Sequence, residues 1–193
     1  GITEQELKSY FGESVKTLAE MNGLSEEECY KKLASMYDGY HFHYKSQGIY
    51  NPFSLLNTFN ANEFRMYWFE TRTTTFLVRY LKQGNYNLDN ISRNDFSVET
   101  LTEVNYVSPA PITLMYQAGY LTIKDFNPDF FTYKLDYPNV EVKRGFMHSL
   151  SQLFAPALIY GELSVYQFIR DIEKGNTKSF MDRLTAFFAG NSY

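Results

Sequence analysis

The amino-acid sequence predicts a mainly α-helical fold with small β-hairpins. Two observations support this prediction. Along most of the chain, apolar residues recur every three or four positions, in stretches that start at a capping residue and stop at glycine or asparagine. Two shorter stretches, residues 40–50 and 120–136, are rich in aromatic and β-branched residues, and a turn sequence divides each of them, which is typical of a hairpin.

The composition is that of a globular protein with an unusually aromatic core. The chain has 193 residues, 44% hydrophobic and 21% charged, enough for one large domain or two small ones. Its 17 Tyr and 17 Phe indicate a core built from rings, in preference to a stacking platform for bases. The formal net charge of −4 provides no general attraction to nucleic acid, so we expect no nucleic-acid partner.

The cysteine count and the hydropathy of the sequence bear on where in the cell the protein is expected. Cys29 is the single cysteine, so an internal disulfide is excluded, and the glutamates at 26–28 should raise the pKa of its thiol. We interpret those glutamates as acids in the first turn of a helix, where they favour the helix dipole, and not as metal ligands. No apolar run approaches the roughly 18 residues that a membrane span requires. We expect a cytoplasmic protein without a membrane partner.

Four helices are predicted before residue 70. Thr3 and Ser25 each precede a glutamate by three residues, which is the capping-box pattern of a helix start. Pro52 follows Asn51 and takes the first position of the fourth helix. The residues expected on the apolar faces of these helices are Leu7, Tyr10, Phe11, Val15, Leu18, Met21, Tyr30, Leu33, Ala34, Tyr37, Leu55, Leu56 and Phe59.

A β-hairpin is predicted between the third and fourth helices. Asp38-Gly39 ends the third helix, and residues 40–44 and 48–50 have the composition of two short strands around a polar turn. In a strand, His41 and His43 would face one side and could bind zinc together. Because no third ligand is close in the sequence, we favour structural or surface roles for both and predict no metal site.

Residues 71–137 have the element order of a winged-helix module. A short helix is expected around residues 98–101 and a second helix at 112–118, followed by strands at 120–124 and 131–136. The candidate recognition helix, residues 112–118, contains no Lys or Arg, which argues against DNA recognition. Residues 138–193 are then expected to form antiparallel helices, because apolar positions recur at helical spacing from Val142 onward.

A search for catalytic motifs yields one literal match and no catalytic residue that we support. Pro128-Asp129 and Glu141-Val142-Lys143 match the PD…ExK signature of nucleases that hold a metal between Asp and Glu, with Lys beside the attacking water. That chemistry needs Glu141 and Lys143 on one face of a strand. The apolar stripe starting at Val142 instead predicts a helix, on which the two side chains point about 200° apart. Residues 175–179 lack the second glycine of a P-loop, and we reject that match.

Several blocks of the sequence nevertheless point to one family. The most specific block is residues 37–42, Tyr-Asp-Gly-Tyr-His-Phe, followed by residues 49–57; the others are residues 67–71, 114–123 and 137–142. In this order they closely resemble the bacterial AAA-ATPase-like proteins that carry a C-terminal PD-(D/E)XK nuclease-superfamily domain. Arg72 and Thr74 depart from the family pattern, which usually has Gly and Pro there.

The resemblance implies that this chain is the middle of a longer protein. Walker motifs would lie upstream of Gly1 and nuclease motifs downstream of Tyr193, so ATP and Mg²⁺ are implied for the parent protein and no cofactor for this chain. The implied partners are the upstream P-loop core and the downstream nuclease-like domain of the same chain. The implied domains are a helical lid region, residues 1–70, with a hairpin at 40–50; a winged-helix-like module, 71–137; and a helical connector, 138–193.

The function implied by the resemblance is that of a non-catalytic lid, which closes over nucleotide and transmits its presence. The segment expected nearest to nucleotide is the turn formed by Asp38, Gly39, Tyr40 and His41. A simpler interpretation, which we favour, is that Asp38 and Gly39 only shape a turn and that Asn51 only caps a helix. Two alternatives stay open for the whole chain: a winged-helix-like DNA-binding or protein-interaction module, and a stand-alone nuclease that uses Asp129, Glu141 and Lys143.

Overall fold

The computed structural model describes residues 1–69, 76–77, 79–80, 95–102, 110–146 and 148–149. In chain order its named elements are α1 (Glu4–Tyr10), α2 (Gly12–Met21), α3 (Glu26–Tyr37), α4 (Pro52–Ala61), β1 (Asp95–Ser97), α5 (Val98–Thr102), α6 (Pro111–Gln117), β2 (Thr122–Asn127) and β3 (Thr132–Asp136). A further helix begins at residue 140. The fold is mainly α with a small β-sheet, as predicted. The helices predicted beyond residue 150 lie outside the described residues.

The N-terminal helices start where their sequences predict. Thr3 Oγ1 accepts a hydrogen bond from the Glu6 amide at 3.2 Å, and the Glu6 carboxylate accepts one from the Thr3 amide at 2.8 Å. Ser25 and Glu28 form the same reciprocal pair at the start of α3. At α4, Asn51 Oδ1 accepts from the Phe53 amide at 3.0 Å, with Pro52 in the first turn. Local capping chemistry therefore fixes these helix starts.

Helices α1–α4 enclose the first of the two apolar cores formed by the described residues. Its buried members are Leu7, Val15, Leu18, Ala19, Cys29, Leu33, Tyr37, Tyr50 and Leu55. The prediction was wrong for Tyr10, Met21 and Leu56, which are 79%, 70% and 48% exposed. Tyr10 and Met21 lie in the last turns of α1 and α2. Burial raises the pKa of the Cys29 thiol; Lys32 opposes this shift and Glu26 adds to it, so the predicted direction is confirmed.

The predicted hairpin at residues 40–50 is not formed as two strands. Tyr40 pairs with Ile49 in an isolated bridge, whereas Tyr50 pairs with Ile2 at the start of the chain. Between them, Ser46 turns the backbone by bonding to His43 through both its amide and its hydroxyl. His41 and His43 consequently lie in a turn and not on a strand. Besides these local bonds, the segment is bonded to Ile2 and to Thr122, which a reading of local sequence does not reveal.

The second core lies under a three-stranded antiparallel sheet with the order β1-β3-β2. Strands β2 and β3 agree with the predicted pair, although β2 begins two residues later than expected. Strand β1 was not predicted; it pairs Phe96 with Tyr133 of β3. The buried members of this core are Leu77, Leu101, Ile112, Met115, Tyr120, Leu121, Ile123, Leu135, Val142 and Phe146.

The helix that begins at residue 140 starts at a capping asparagine. Asn139 Oδ1 accepts from the Val142 amide at 3.0 Å, and its carbonyl accepts from the Lys143 amide at 3.1 Å. The prediction that Glu141 and Lys143 stand on a helix is confirmed for residues 140–146. Val142 and Phe146 of this helix pack into the second core, while Glu141 points toward the first.

Candidate functional site

The predicted turn, Asp38 to His41, lies where the N-terminal helices meet the sheet. Gly39 has φ +100° and its α-carbon lies against the carbonyl of Pro138, so a side chain at this position would be both strained and obstructed. The Thr122 hydroxyl of β2 accepts from the His41 amide at 2.8 Å and donates to the His41 carbonyl at 3.1 Å. The turn is thereby attached to the first residue of β2.

A β-bulge brings Lys124 to the same turn. The register of β2 against β3 shifts between Ile123 and Asp125, which leaves Lys124 as the extra residue. Its ammonium group donates to the carbonyls of Gly39 and Pro138, each at 3.3 Å. Burial lowers the pKa of Lys124, and the carboxylates of Asp136 and Asp38 oppose that shift. Lys124 thus acts as a cationic link between the turn and the segment that precedes the last helix.

The turn does not fit a phosphate-binding loop. Such a loop needs backbone amides that point together toward the ligand. Here the amides of Asp38, Tyr40 and His41 already donate to Ala34 O, Ile49 O and Thr122 Oγ1. Asp38 Oδ1 is buried and has no hydrogen-bond donor within the described residues, and a carboxylate would repel phosphate. The contacts of this turn favour the simpler, structural role over that of a phosphate cradle.

A buried carboxylate joins the two halves of the described structure. Glu141 is 0% exposed. Its Oε2 accepts from the Ser54 hydroxyl of α4 at 2.7 Å, and its Oε1 accepts from the Trp68 amide at 2.9 Å. Trp68 in turn packs edge-on against Tyr120 of the second core, with ring centroids 5.1 Å apart. We call Glu141, Ser54 and Trp68 the junction cluster.

Two tyrosines near the junction cluster have raised pKa values, as expected for groups in a protein interior. Burial raises the pKa of Tyr40, and the charge of Glu141 raises it further. Burial likewise raises the pKa of Tyr37 to about 12; hydrogen bonds with Thr58 and Arg65 oppose this shift, and Glu141 adds a smaller increase. Glu141 was considered in the sequence only as half of an ExK pattern. Its main partner, Ser54, lies 87 residues away, so the sequence around Glu141 carries no local signal of this contact.

The residues of the PD…ExK pattern do not meet in one site. Glu141 is fully buried and bonded to α4, whereas Asp129 is exposed in the β2–β3 turn, where its amide donates to Asn127 Oδ1 at 2.9 Å. Within the described residues, no cluster of three or more His, Cys, Asp or Glu side chains is arranged to hold a metal ion. The Nδ1 atoms of His41 and His43 instead contact Ser46 O and the Lys45 amide of their own turn.

Comparison with known proteins identifies a longer relative. No family model matches the chain, and no solved structure matches it. The chain is similar to the "Uncharacterized protein in vnfD 5'region" of Azotobacter chroococcum mcd 1, with 35% identity over 161 residues. The alignment covers 81% of this chain but 28% of that protein, so the chain spans less than a third of the relative's length. Across the described ranges, no helix combines the length and apolar character of a membrane span.

Proposed function

We propose that this chain is a non-catalytic lid and connector within a bacterial, cytoplasmic P-loop ATPase-like protein. Its role is to transmit the state of an ATPase core that lies elsewhere in the same protein, toward a nuclease-like domain. ATP and Mg²⁺ act at that core. The sequence blocks that resemble the AAA-ATPase-like family motivate the proposal, and the much greater length of the Azotobacter relative supports it.

The observation that carries the proposal is the junction cluster together with the links around the Asp38–His41 turn. A transmitting element must move as one body, because a flexible joint would absorb the motion that it receives. Three buried or half-buried hydrogen bonds connect α4 and the Asp38–His41 turn with the sheet and the last helix. They join Ser54 to Glu141, His41 to Thr122, and Asp38 O to Asn139 Nδ2, the last at 3.0 Å. These contacts couple the two cores.

The test compares this chain with the longer protein that contains it. The isolated chain should release no phosphate from ATP with Mg²⁺, because it lacks a phosphate-cradling loop. In the longer protein, Ser54→Ala should change ATP turnover by about fivefold or more while nucleotide affinity stays within about twofold. The reason is that the substitution weakens the contact between the two cores and leaves the nucleotide site of the ATPase core unchanged. Lys143→Ala, which leaves the junction cluster intact, is the matched control.

Two outcomes would remove the proposal. The first is ATP turnover by the isolated chain that survives stringent purification. The second is a parent reading frame with no Walker motif upstream of Gly1. An unchanged turnover in the Ser54→Ala protein would leave the ATPase assignment but refute the transmitting role.

A second candidate function is DNA binding, and the sheet topology favours it. The order β1-α5-α6-β2-β3, with the strands arranged β1-β3-β2, supports a winged-helix-like module. The charge distribution opposes it, since α6 carries no Lys or Arg and buries Ile112, Thr113 and Met115. Titration of a labelled DNA duplex at low salt should show weak binding at most. Sub-micromolar affinity with a steep salt dependence would favour the DNA-binding function instead.

A further inference from the structure

The turn between β2 and β3 presents two phenylalanine rings to solvent. Phe130 and Phe131 are adjacent in the sequence and are 76% and 70% exposed. Single exposed apolar side chains are ordinary on protein surfaces. Two neighbouring rings at the end of a hairpin instead form an apolar patch, which burial against another surface would stabilise. We call residues 128–131 the hairpin tip.

The hairpin tip is held in one conformation against a local backbone preference. Asn127 Oδ1 accepts from the amides of Asp129 at 2.9 Å and Phe130 at 3.4 Å, which fixes the turn. Phe131 has φ +50°, a conformation that hairpin turns usually assign to glycine. Its ring packs edge-on against Phe126, with centroids 6.4 Å apart. The tip is therefore preorganised, which lowers the cost of ordering it on binding.

The charge of the hairpin tip is negative. Asp129 is exposed, and residues 125–133 contain two aspartates and no Lys or Arg. Within the described residues, no hydrogen bond or ion pair engages the Asp129 carboxylate. The negative charge disfavours nucleic acid and anionic lipid as partners. A surface that receives the tip must therefore combine apolar side chains with a cation that has no other partner.

The chain itself carries an apolar cleft of suitable size. The cleft has a volume of about 520 Å³ and lies between the end of α3, the segment after α4 and the last helix. Its apolar lining consists of Met36, Phe64, Met66 and Phe69. Methionine side chains are flexible and make favourable contacts with aromatic rings, so a lining that contains two of them can adapt to an inserted phenylalanine.

Arg144 supplies the cation at this cleft. It lines the cleft and is exposed, and no described residue forms a hydrogen bond or ion pair with it. Arg65 and His148 also line the cleft, but both already interact with other groups, so neither is assigned a contact with the tip. A guanidinium binds a carboxylate through paired, charge-assisted hydrogen bonds, which makes the Asp129 carboxylate a suitable partner for Arg144.

We propose that this chain forms a two-fold dimer in which the hairpin tip of each copy occupies the cleft of the other. Phe130 and Phe131 contact the apolar lining, and Asp129 pairs with Arg144 of the second copy. Neither phenylalanine lines the cleft of its own chain, and both are exposed there, so the contact is one between copies. A reciprocal contact of this kind closes on itself, so assembly stops at two copies.

The expected dimer is weak, because the contact is small. A phenylalanine side chain buries at most about 150–250 Å². Four partly exposed rings, with the cleft surfaces that they cover, therefore bury about 1,000 Å² in total, which is the lower limit for a specific interface. We expect a dissociation constant of about 10–100 µM.

Sedimentation velocity of this chain from about 5 µM to about 500 µM measures the association. The unaltered chain should pass from monomer to dimer over this range. Asp129→Arg and Arg144→Glu should each weaken association at least about tenfold, because each places like charges together in both contacts. An equimolar mixture of the two variants should restore affinity to within about threefold of the unaltered chain, because each tip then meets a cleft of opposite charge.

The matched control is Lys16→Glu, which makes the same charge reversal as Arg144→Glu at an exposed position on α2, outside the cleft lining. It should leave affinity within about twofold. Phe130→Ser removes an apolar contact and should weaken association about tenfold. Circular dichroism checks that each variant is folded.

Four results would overturn the proposal. The first is an unaltered chain that stays monomeric up to about 500 µM. The second is association that persists in both charge-reversal variants, and the third is a mixture of those variants that stays monomeric. The fourth is a loss in Lys16→Glu equal to that in Arg144→Glu, or an unchanged affinity in Phe130→Ser.

Discussion

The junction cluster makes a quantitative prediction about stability. Glu141→Ala removes the acceptor of both the Ser54 hydroxyl and the Trp68 amide while leaving those donors inside the protein. A buried donor without a partner costs about 1–3 kcal/mol. Two such donors, with the packing lost around a fully buried side chain, should lower the free energy of unfolding by about 3–5 kcal/mol.

Two milder substitutions should each cause part of this loss in the free energy of unfolding. Glu141→Gln keeps the shape and one acceptor oxygen but loses the charge, so it should cost about 1–2 kcal/mol. Ser54→Ala removes one charge-assisted hydrogen bond and should cost a similar amount. Because these two side chains touch, the double variant should cost less than the sum of the two single losses.

The assay is urea denaturation followed by tryptophan fluorescence. Trp68 is the single tryptophan of the chain and its amide bonds to Glu141, so its emission reports on the junction itself. Circular dichroism at 222 nm checks that the helices unfold in the same transition. The control is Lys143→Ala, two residues along the same helix, which should stay within about 0.5 kcal/mol of the unaltered protein. If Glu141→Ala costs no more than Lys143→Ala, the carboxylate does not join the two cores.

Two further predictions concern the PD…ExK pattern and alkaline pH. The chain should show no metal-dependent cleavage of duplex or single-stranded DNA, and Asp129→Asn with Lys143→Ala should change nothing; cleavage that disappears in this double variant would reveal a nuclease site. Burial raises the pKa of Tyr37 to about 12 from 10.0, so its stabilisation is fully present below pH 10 and is lost as pH rises toward 12. Unfolding measured from pH 8 to pH 12 should show this loss, with a shallower slope in Tyr37→Phe; an equal slope would contradict it.

Sequence reasoning succeeded where a structural signal is local. The starts of α1, α3 and α4 depend on contacts within three residues, such as that of Thr3 with Glu6. The β2–β3 pair is also local, since the turn at Asn127-Pro128-Asp129 joins the strands directly. Local propensity and local hydrogen bonding can both be inferred from the sequence, which is why these elements were predicted.

The errors arose where a partner lies far along the chain. Strand β1 has three residues and forms only against β3, more than 30 positions later. Tyr50 was assigned to a hairpin with the residues just before it, yet its bridge partner is Ile2. Glu141 was read with its neighbour Lys143, whereas Ser54 lies 87 residues away. A reading of periodicity contains no information about such distant pairs.

The blocks of sequence that resemble the family turn out to meet in space. Gly39 of the first block lies against Pro138 of the last block. Trp68 bonds to Glu141, and the α-carbon of Gly119 faces the rings of Tyr40 and Trp68. Residues from four separated blocks thus surround one junction between two cores. Since the backbone amides of Asp38, Tyr40 and His41 are already engaged, the distinctive residues of the first block are better explained by the requirements of this junction than by contact with nucleotide.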